Sequence, residues 1–245
     1  RKKTTLFLLS LMSLICFNNA NAQNSDPLKD IDLTKVMMHL DWPNLAHYDA
    51  QNKEVKKSDR TGRVIFMGNS ITQGWEHFMP ELFDNHTFIN RGIGGQTSPQ
   101  MLLRFRQDVI AHQPDVVVIL AGTNDIAGNT PLKDLETVAG NLFSMAELAE
   151  AHGSKVILCS VVPAADYPWR TGKNPDTQIP RLNKMIQDYC TQNQIHYLDY
   201  FGAMTDGKNG LIESYGYDGV HPNKKGYEVM TAMVQKAIGE VLKNQ

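Results

Sequence analysis

The chain has 245 residues, of which 42% are hydrophobic and 20% are charged, as is typical of a globular protein. Its 24 Lys and Arg residues nearly balance 26 Asp and Glu residues, and the formal net charge is −2 at pH 7. The lack of a basic excess argues against nucleic acid and against anionic membranes as partners.

The first 22 residues follow the pattern of a secretory signal peptide. Residues 1–3 are basic, residues 6–17 are apolar, and Ala20-Asn21-Ala22 is a small-x-small cleavage site. We therefore expect residues 1–22 to be removed and the protein to be exported to the periplasm or the extracellular space. Cys16 leaves a lipid anchor as an alternative, although the bulky Ile15 before it fits a lipoprotein signal poorly.

Removal of this segment takes away three positive charges and no negative ones. The rest of the chain then has 21 Lys and Arg residues against 26 Asp and Glu residues, a net charge of −5. The apolar run of the signal is too short to cross a bilayer comfortably, and no later segment is long enough. We therefore expect no membrane span.

Residues 23–61 are polar, with Lys-rich stretches and one apolar-periodic patch around residues 36–45. We expect them to form an arm and a helix that wrap the domain. From residue 62 onward the pattern is regular, without an internal repeat or a linker. The predicted organisation is a signal peptide over residues 1–22, an N-terminal arm and helix over residues 23–61, and one domain over residues 62–245.

Short apolar runs without strict polar alternation predict strands that are buried on both faces. They are Val64–Met67, Thr87–Asn90, Val116–Ala121, Lys155–Val161 and Ile195–Tyr200. Helical patterns follow at Pro99–Ala111, Leu132–His152, Ile179–Asn193 and Lys224–Leu242. Strands and helices that alternate at this spacing predict right-handed crossovers and an α/β fold with a five-stranded parallel sheet.

Two cysteines follow the predicted signal. Cys159 lies in a predicted strand, where a small core residue is the simplest interpretation. A disulfide between Cys159 and Cys190 remains open for an exported protein.

Polar residues and glycines stand at four points where strands end or a helix begins. In an open parallel sheet, ligands bind at the carboxyl ends of the strands. The four segments are Gly68-Asn69-Ser70, Arg91-Gly92-Ile93-Gly94-Gly95, Gly122-Thr123-Asn124-Asp125 and Asp218-Gly219-Val220-His221-Pro222.

These segments contain the groups that acyl transfer requires. A serine such as Ser70 needs a base within hydrogen-bond reach, and the base needs an orienting group. Asp218 and His221 stand three residues apart in one loop, a spacing that lets the carboxylate hold the imidazole. Backbone N–H groups at the second segment and the Asn124 amide are candidate donors to an oxyanion.

Each segment also has a simpler interpretation. Ser70 fits a helix N-cap, and the paired glycines fit a turn, since the spacing of a phosphate-binding loop is lacking. Asn124 and Asp125 fit a turn, and the Asp218–His221 pair fits a loop hydrogen bond. No further His, Cys, Asp or Glu stands at ligand spacing, so we expect no metal and no cofactor. Four such coincidences at one sheet edge are less plausible than one active site.

The segments "FMGNSIT", "NRGIGGQTS", "LAGTND" and "DGVHPN" resemble, in order and spacing, the four sequence blocks of SGNH hydrolases, also called the GDSL esterase family. The resemblance covers residues 62 to about 240. It implies a flavodoxin-like three-layer α/β/α sandwich that carries a serine esterase site. The usual Gly-Asp-Ser-Leu is replaced by Gly68-Asn69-Ser70-Ile71, which removes one charge beside the serine but keeps a side chain able to bond the loop.

The resemblance implies a role for each residue of the site. Ser70 would be the nucleophile, His221 the base and Asp218 its orienting group. The oxyanion hole would consist of the Ser70 and Gly95 backbone N–H groups and the Asn124 side-chain amide. Gly94 is the alternative to Gly95, which is preferred because it directly precedes Gln96-Thr97.

The residues of these blocks are most similar to those of an acetylhydrolase branch of the family, which includes platelet-activating-factor acetylhydrolase-like bacterial proteins and carbohydrate acetylesterases. We therefore expect a small-molecule or glycan ester as substrate, with O-acetyl groups on carbohydrates favoured and a lipid-directed esterase (lysophospholipase or thioesterase) as the alternative. The non-enzyme alternative is a glycan-binding module with an inactive site. It would require loss of Ser70 or His221, and both are present. The residues expected to contact substrate are Trp75, Arg91, Tyr167 and Trp169, the last two in an exposed loop over residues 163–178.

Overall fold

A computed structural model of the protein describes residues 40–55, 61–84, 87–131 and 134–243. The predicted signal peptide and most of the predicted arm lie outside these residues. The described part of the apolar patch, residues 40–45, forms turns, and the helix of the arm comes later, at Asp49–Glu54 (α1). The division of the chain at residues 22 and 61 stays a prediction.

Five strands form one sheet in the order β2-β1-β3-β4-β5, and every neighbouring pair is parallel. The strands are Val64–Gly68 (β1), Phe88–Gly92 (β2), Val116–Leu120 (β3), Lys155–Cys159 (β4) and His196–Leu198 (β5). The predicted five-stranded parallel sheet is confirmed, and the predicted strand ends are at most two residues off.

Helices alternate with the strands along the chain. They are Ser70–Phe78 (α2), Ser98–Asp108 (α3), Thr123–Ile126 (α4), Leu135–Ala151 (α5), Pro175–Asn193 (α6), Tyr200–Met204 (α7) and Lys224–Lys243 (α8). The four predicted helical patterns correspond to α3, α5, α6 and α8. In the described parts of the chain, none of these helices is long and apolar enough to cross a membrane.

The strands carry apolar side chains on both faces, and each face packs against its own set of helices. Ile65 and Met67 point to the side covered by α3, α5 and α6. Val64 and Phe66 point to the opposite side, which is covered by α2 and α8. All four side chains are 0% exposed, and full burial of such a side chain stabilises the fold by about 1.5–3 kcal/mol. The predicted three-layer α/β/α sandwich is confirmed.

Cys159 and Cys190 are both free and both buried. Burial, together with the Glu150 carboxylate, raises the pKa of Cys190 to about 12. Burial also raises the pKa of Cys159. Because both thiols are free, the structure does not contain the disulfide that the sequence left open.

Gly68, the last residue of β1, has no room for a side chain. A Cβ at this position would lie 2.0 Å from Thr72 Oγ1 and 2.8 Å from the Leu120 carbonyl oxygen. We expect Gly68→Ala to lower the free energy of unfolding by ~1–3 kcal/mol, as overpacking of a core does. Gly140 in α5 has nothing within 4 Å of an added Cβ, so Gly140→Ala should raise that free energy by ~0.5–1 kcal/mol. Urea denaturation of the two variants checks both signs, and equal stabilities would contradict the close packing at Gly68.

Candidate active site

The end of β1 leads directly into α2, and the cap of this helix leaves the Ser70 hydroxyl available. Asn69 is the N-cap residue, and its Oδ1 accepts a hydrogen bond from the Ile71 N–H at 3.0 Å. Ser70 is the first residue of the helix rather than its cap. The helix-cap interpretation of Ser70 is therefore wrong. The asparagine that replaces the usual aspartate does bond the loop, as expected.

Ser70, His221 and Asp218 lie in one line of hydrogen bonds although 151 residues separate the first two. Ser70 Oγ lies 3.0 Å from His221 Nε2. His221 Nδ1 lies 2.7 Å from Asp218 Oδ2. An ionised carboxylate only accepts hydrogen bonds, so the proton belongs on Nδ1 and the lone pair of Nε2 faces the serine hydroxyl.

The Asp218 carboxylate is fixed by its own loop. Its Oδ1 accepts the backbone N–H groups of His221, at 2.7 Å, and of Val220, at 3.0 Å. Partial burial acts to raise the pKa of Asp218, but the hydrogen bonds from His221 and Val220 outweigh it, and the pKa lies below its ordinary value. Asp218 is therefore ionised near neutral pH.

The glycine loop after β2 and the start of α4 face the same edge. Gly95 has a left-handed backbone with φ +79°, and its N–H has no partner among the residues that the structure describes. The neighbouring Gly94 N–H already donates to Gln73 Oε1 at 2.9 Å. The Asn124 amide is 5% exposed and donates one hydrogen to the Gln96 carbonyl at 3.0 Å, which leaves its second N–H.

Arg104, which lies on α3, links the carboxyl ends of β1 and β2 to the loop that follows β2. Its side chain is fully buried, and its Nε donates to Gln96 Oε1 at 2.6 Å. Its Nη2 donates to the carbonyl oxygens of Arg91, at 2.7 Å, and Gly68, at 3.2 Å. Asp108 balances its charge at 3.0 Å. Sequence reasoning missed Arg104, for which the available signal was a cation on the apolar face of a predicted helix.

Asp125, on α4, holds the start of α3. It is 3% exposed and accepts the Ser98 N–H at 3.0 Å and the Ser98 hydroxyl at 2.7 Å. Burial raises the pKa of Asp125 from 3.8 to about 6, although the hydrogen bonds from Ser98 oppose the shift. Asp125 therefore fixes the start of α3 beside Asn124 and is more than a simple turn residue.

The raised pKa of Asp125 predicts how stability changes with pH. The folded protein holds this proton more tightly than the unfolded chain, so the resulting stability is present below pH 3.8 and is lost as pH rises through about 6. Relative to Asp125→Asn, the wild type should lose ~3 kcal/mol of unfolding free energy across this window. Urea denaturation of both proteins at several pH values measures the difference, in which contributions from other groups cancel. A difference that is constant with pH would contradict the assignment.

Three of the four residues that were expected to contact substrate are buried and already have partners. Trp75 is 1% exposed and donates its Nε1–H to Thr231 Oγ1 at 2.8 Å. Arg91 is 3% exposed, with its guanidinium 4.6 Å from the centre of the Tyr48 ring. The Tyr167 side chain is fully buried, and its hydroxyl lies 2.9 Å from that of Thr123. The expectation that these three contact a substrate is wrong, since each is part of the scaffold.

The fourth residue, Trp169, does lie beside the site. It is 47% exposed, and its ring centre is 5.6 Å from that of His221. A second ring, Tyr217, was not singled out in the sequence. It is 64% exposed, and its ring centre is 5.7 Å from that of His221, with the planes 12° apart. Its position directly before Asp218 was the available signal.

Comparison with known proteins agrees with this architecture. A GDSL-like lipase from Bacteroides thetaiotaomicron has a crystal structure that aligns with a TM-score of 0.78 and 44% sequence identity. The alignment covers 81% of this chain and 98% of that protein. The structural similarity therefore extends over nearly the whole of the described domain.

Curated relatives are more distant. An acetylxylan esterase from Xylanibacter ruminicola is 26% identical in an alignment of 211 residues that covers 72% of this chain but only 43% of that protein. The platelet-activating factor acetylhydrolase IB subunit alpha1 of Bos taurus is 25% identical over 194 residues, 76% of this chain and 77% of that protein.

The family model of GDSL-like lipases and acylhydrolases matches residues 66–229, a range that includes the ends of β1, β2 and β3 and the loop of Asp218 and His221. The chain therefore belongs to the GDSL-like lipase/acylhydrolase family.

Proposed function

We propose that the protein is a serine esterase that releases short acyl groups, acetyl above all, from carbohydrate hydroxyls. The observation that carries the proposal is the line of hydrogen bonds from Ser70 Oγ to His221 Nε2, at 3.0 Å, and from His221 Nδ1 to Asp218, at 2.7 Å. In this reaction Ser70 is the nucleophile and His221 the general base, while Asp218 holds the imidazole in the required tautomer.

In the proposed reaction, His221 carries the serine proton and the oxyanion hole stabilises the negative charge. Ser70 Oγ attacks the ester carbonyl carbon as its proton passes to His221 Nε2, and the carbonyl oxygen becomes an oxyanion. The Ser70 and Gly95 N–H groups and the free N–H of Asn124 are the proposed donors to that oxyanion. His221 then returns the proton to the alcohol oxygen, which leaves, and water repeats the sequence on the acyl-serine.

The backbone supports these roles. Ser70 begins a nine-residue helix, so its N–H points out of the positive end of the α2 dipole toward the oxyanion. Gly94 is less suited than Gly95 to donate, because its N–H is already bonded to Gln73.

Two observations favour an acetylated glycan as substrate. The similar protein from Xylanibacter ruminicola is an acetylxylan esterase, and the ring of Trp169 is exposed beside His221. The signal-like pattern of residues 1–22 supports export, where glycan esters would be met. The alternative is a lipid-directed acetyl ester, which is favoured by the similarity to platelet-activating factor acetylhydrolase subunits.

Acyl chain length tests the proposal. We expect kcat/KM to fall by roughly tenfold or more from acetate to butyrate esters of one alcohol, because in a pocket that closes around an acetyl methyl each added methylene displaces packed protein at ~1–3 kcal/mol. An open apolar groove would instead gain ~0.8 kcal/mol per buried methylene and favour the longer ester. Initial rates on p-nitrophenyl esters of two to eight acyl carbons measure the trend. Octanoate turned over faster than acetate would overturn the acetylesterase proposal in favour of the lipid alternative.

A further inference from the structure

Two aromatic rings flank the imidazole of His221 and remain open to solvent. The ring centre of Trp169 lies 5.6 Å from that of His221, and the ring centre of Tyr217 lies 5.7 Å from it. The two residues are 47% and 64% exposed. By contrast, Trp75, Tyr167 and Tyr200 are at most 1% exposed. Exposed aromatic rings that lie together at one site indicate a ligand-binding surface.

Both rings are carried on backbone that is fixed. The Tyr217 N–H donates to the His221 carbonyl at 3.2 Å, so the ring is tied to the loop of the base itself. Next to Trp169, the Arg170 N–H donates to the Tyr167 carbonyl at 2.9 Å, and the Arg170 guanidinium donates to the Ala127 carbonyl at 3.1 Å. The backbone beside each ring is therefore anchored before a ligand arrives, which lowers the entropy lost on binding.

Their position defines which half of the ester they meet. The acyl carbonyl oxygen faces the N–H groups of Ser70 and Gly95, while the alcohol oxygen must come within hydrogen-bond reach of His221 Nε2 to receive its proton. Rings that flank the imidazole therefore contact the alcohol half and not the acyl group.

We propose that Trp169 and Tyr217 form a platform for the alcohol half of the ester, and that this alcohol is a pyranose ring. The inference rests on the proposed function and adds the residues that select the alcohol. The face of a pyranose formed by its C–H groups is apolar and packs on an aromatic face, while its hydroxyls stay in water at the open side of the platform.

A quaternary ammonium, as in a choline lipid, also binds aromatic faces. Arg170, which follows Trp169 directly, brings a positive charge to the loop that carries one half of the platform. A like charge there disfavours a cation relative to a neutral sugar.

The test compares alcohols at a constant acyl group. Acetate release is measured on a mono-O-acetylated methyl pyranoside, on ethyl acetate and on an acetylated glycerophosphocholine, for the wild type and for Trp169→Ala, Tyr217→Ala and Tyr217→Phe. Trp42→Ala is the matched control, since Trp42 is 43% exposed and its ring, unlike those of Trp169 and Tyr217, is not in contact with the His221 ring in the described structure. Each alanine variant should lose roughly tenfold more kcat/KM on the pyranoside ester than on ethyl acetate. Tyr217→Phe should retain most of the pyranoside activity, and Trp42→Ala should match the wild type.

Equal losses on pyranoside and ethyl esters would overturn the proposal, because the rings would then act only through His221. A larger loss on the glycerophosphocholine ester would overturn it in favour of a lipid alcohol. A binding measurement separates failure of this inference from failure of the proposed function. In Ser70→Ala, titration with unacetylated methyl pyranoside followed by NMR should show binding that Tyr217→Ala weakens roughly tenfold. Binding with no turnover in the wild type would contradict the esterase proposal alone, and turnover with no binding effect would contradict the platform alone.

Discussion

Ser70→Ala should lower kcat for acetyl-ester hydrolysis by ~10³-fold or more while leaving the fold intact. The hydroxyl is the only atom group removed, and Asn69 rather than Ser70 caps the helix, so no structural hydrogen bond of α2 is lost. Rates on p-nitrophenyl acetate and circular dichroism of the same samples measure both halves of the expectation. Ser214→Ala, which changes an exposed serine close to the Asp218 loop, is the matched control and should keep full activity.

His221→Ala should be about as severe as Ser70→Ala, and the double variant should be no worse than either single variant. Residues that act as one unit lose their joint effect when the first is removed. Losses that multiply in the double variant would show that the two residues act independently. A Ser70→Ala enzyme within tenfold of the wild type would contradict the assignment of the nucleophile.

Arg104→Met should have the largest effect on stability, with an expected loss of ~3–5 kcal/mol in the free energy of unfolding. The substitution leaves Asp108 as a buried charge without its ion-pair partner. It also removes the donor to the carbonyl oxygens of Arg91 and Gly68, which lie at the ends of β2 and β1. Because the Arg104 side chain also holds Gln96, whose carbonyl accepts from Asn124, we expect kcat to fall as well.

Arg106→Met is the matched control for this prediction. Arg106 lies on the same helix but is exposed, so its removal should change stability by no more than ~0.5 kcal/mol. Urea denaturation at one pH compares the two variants. Equal stabilities would contradict the conclusion that Arg104 holds the strand ends together.

The strands and the long helices were predictable because their signals are local. A run such as Val116–Leu120 is apolar throughout, as a strand covered on both faces must be. The stripe of Tyr227, Met230 and Val234 on α8 is buried as its spacing predicts. The short helices α4 and α7, with four and five residues, were not predicted because they are too short to show a helical period.

The grouping of Ser70 and His221 was predictable for a different reason. Each follows a strand or precedes a helix at the carboxyl edge of a parallel sheet, so topology alone brings them together. The roles of individual side chains beyond that edge were less accessible. The loop after β4 has no periodicity, and whether its Tyr167 points inward depends on Thr123, a residue 44 positions away. The Arg104 network likewise depends on contacts between separate segments that no local pattern reveals.

Covalent labelling of the nucleophile tests the central claim most directly. A dialkyl p-nitrophenyl phosphate transfers its phosphoryl group to an activated serine and releases p-nitrophenolate, and peptide mass spectrometry then locates the adduct. We predict one phosphoryl group per chain on Ser70, complete loss of esterase activity in step with labelling, and little labelling of His221→Ala. Complete inactivation with Ser70 unmodified and the phosphoryl group on another residue would contradict the account.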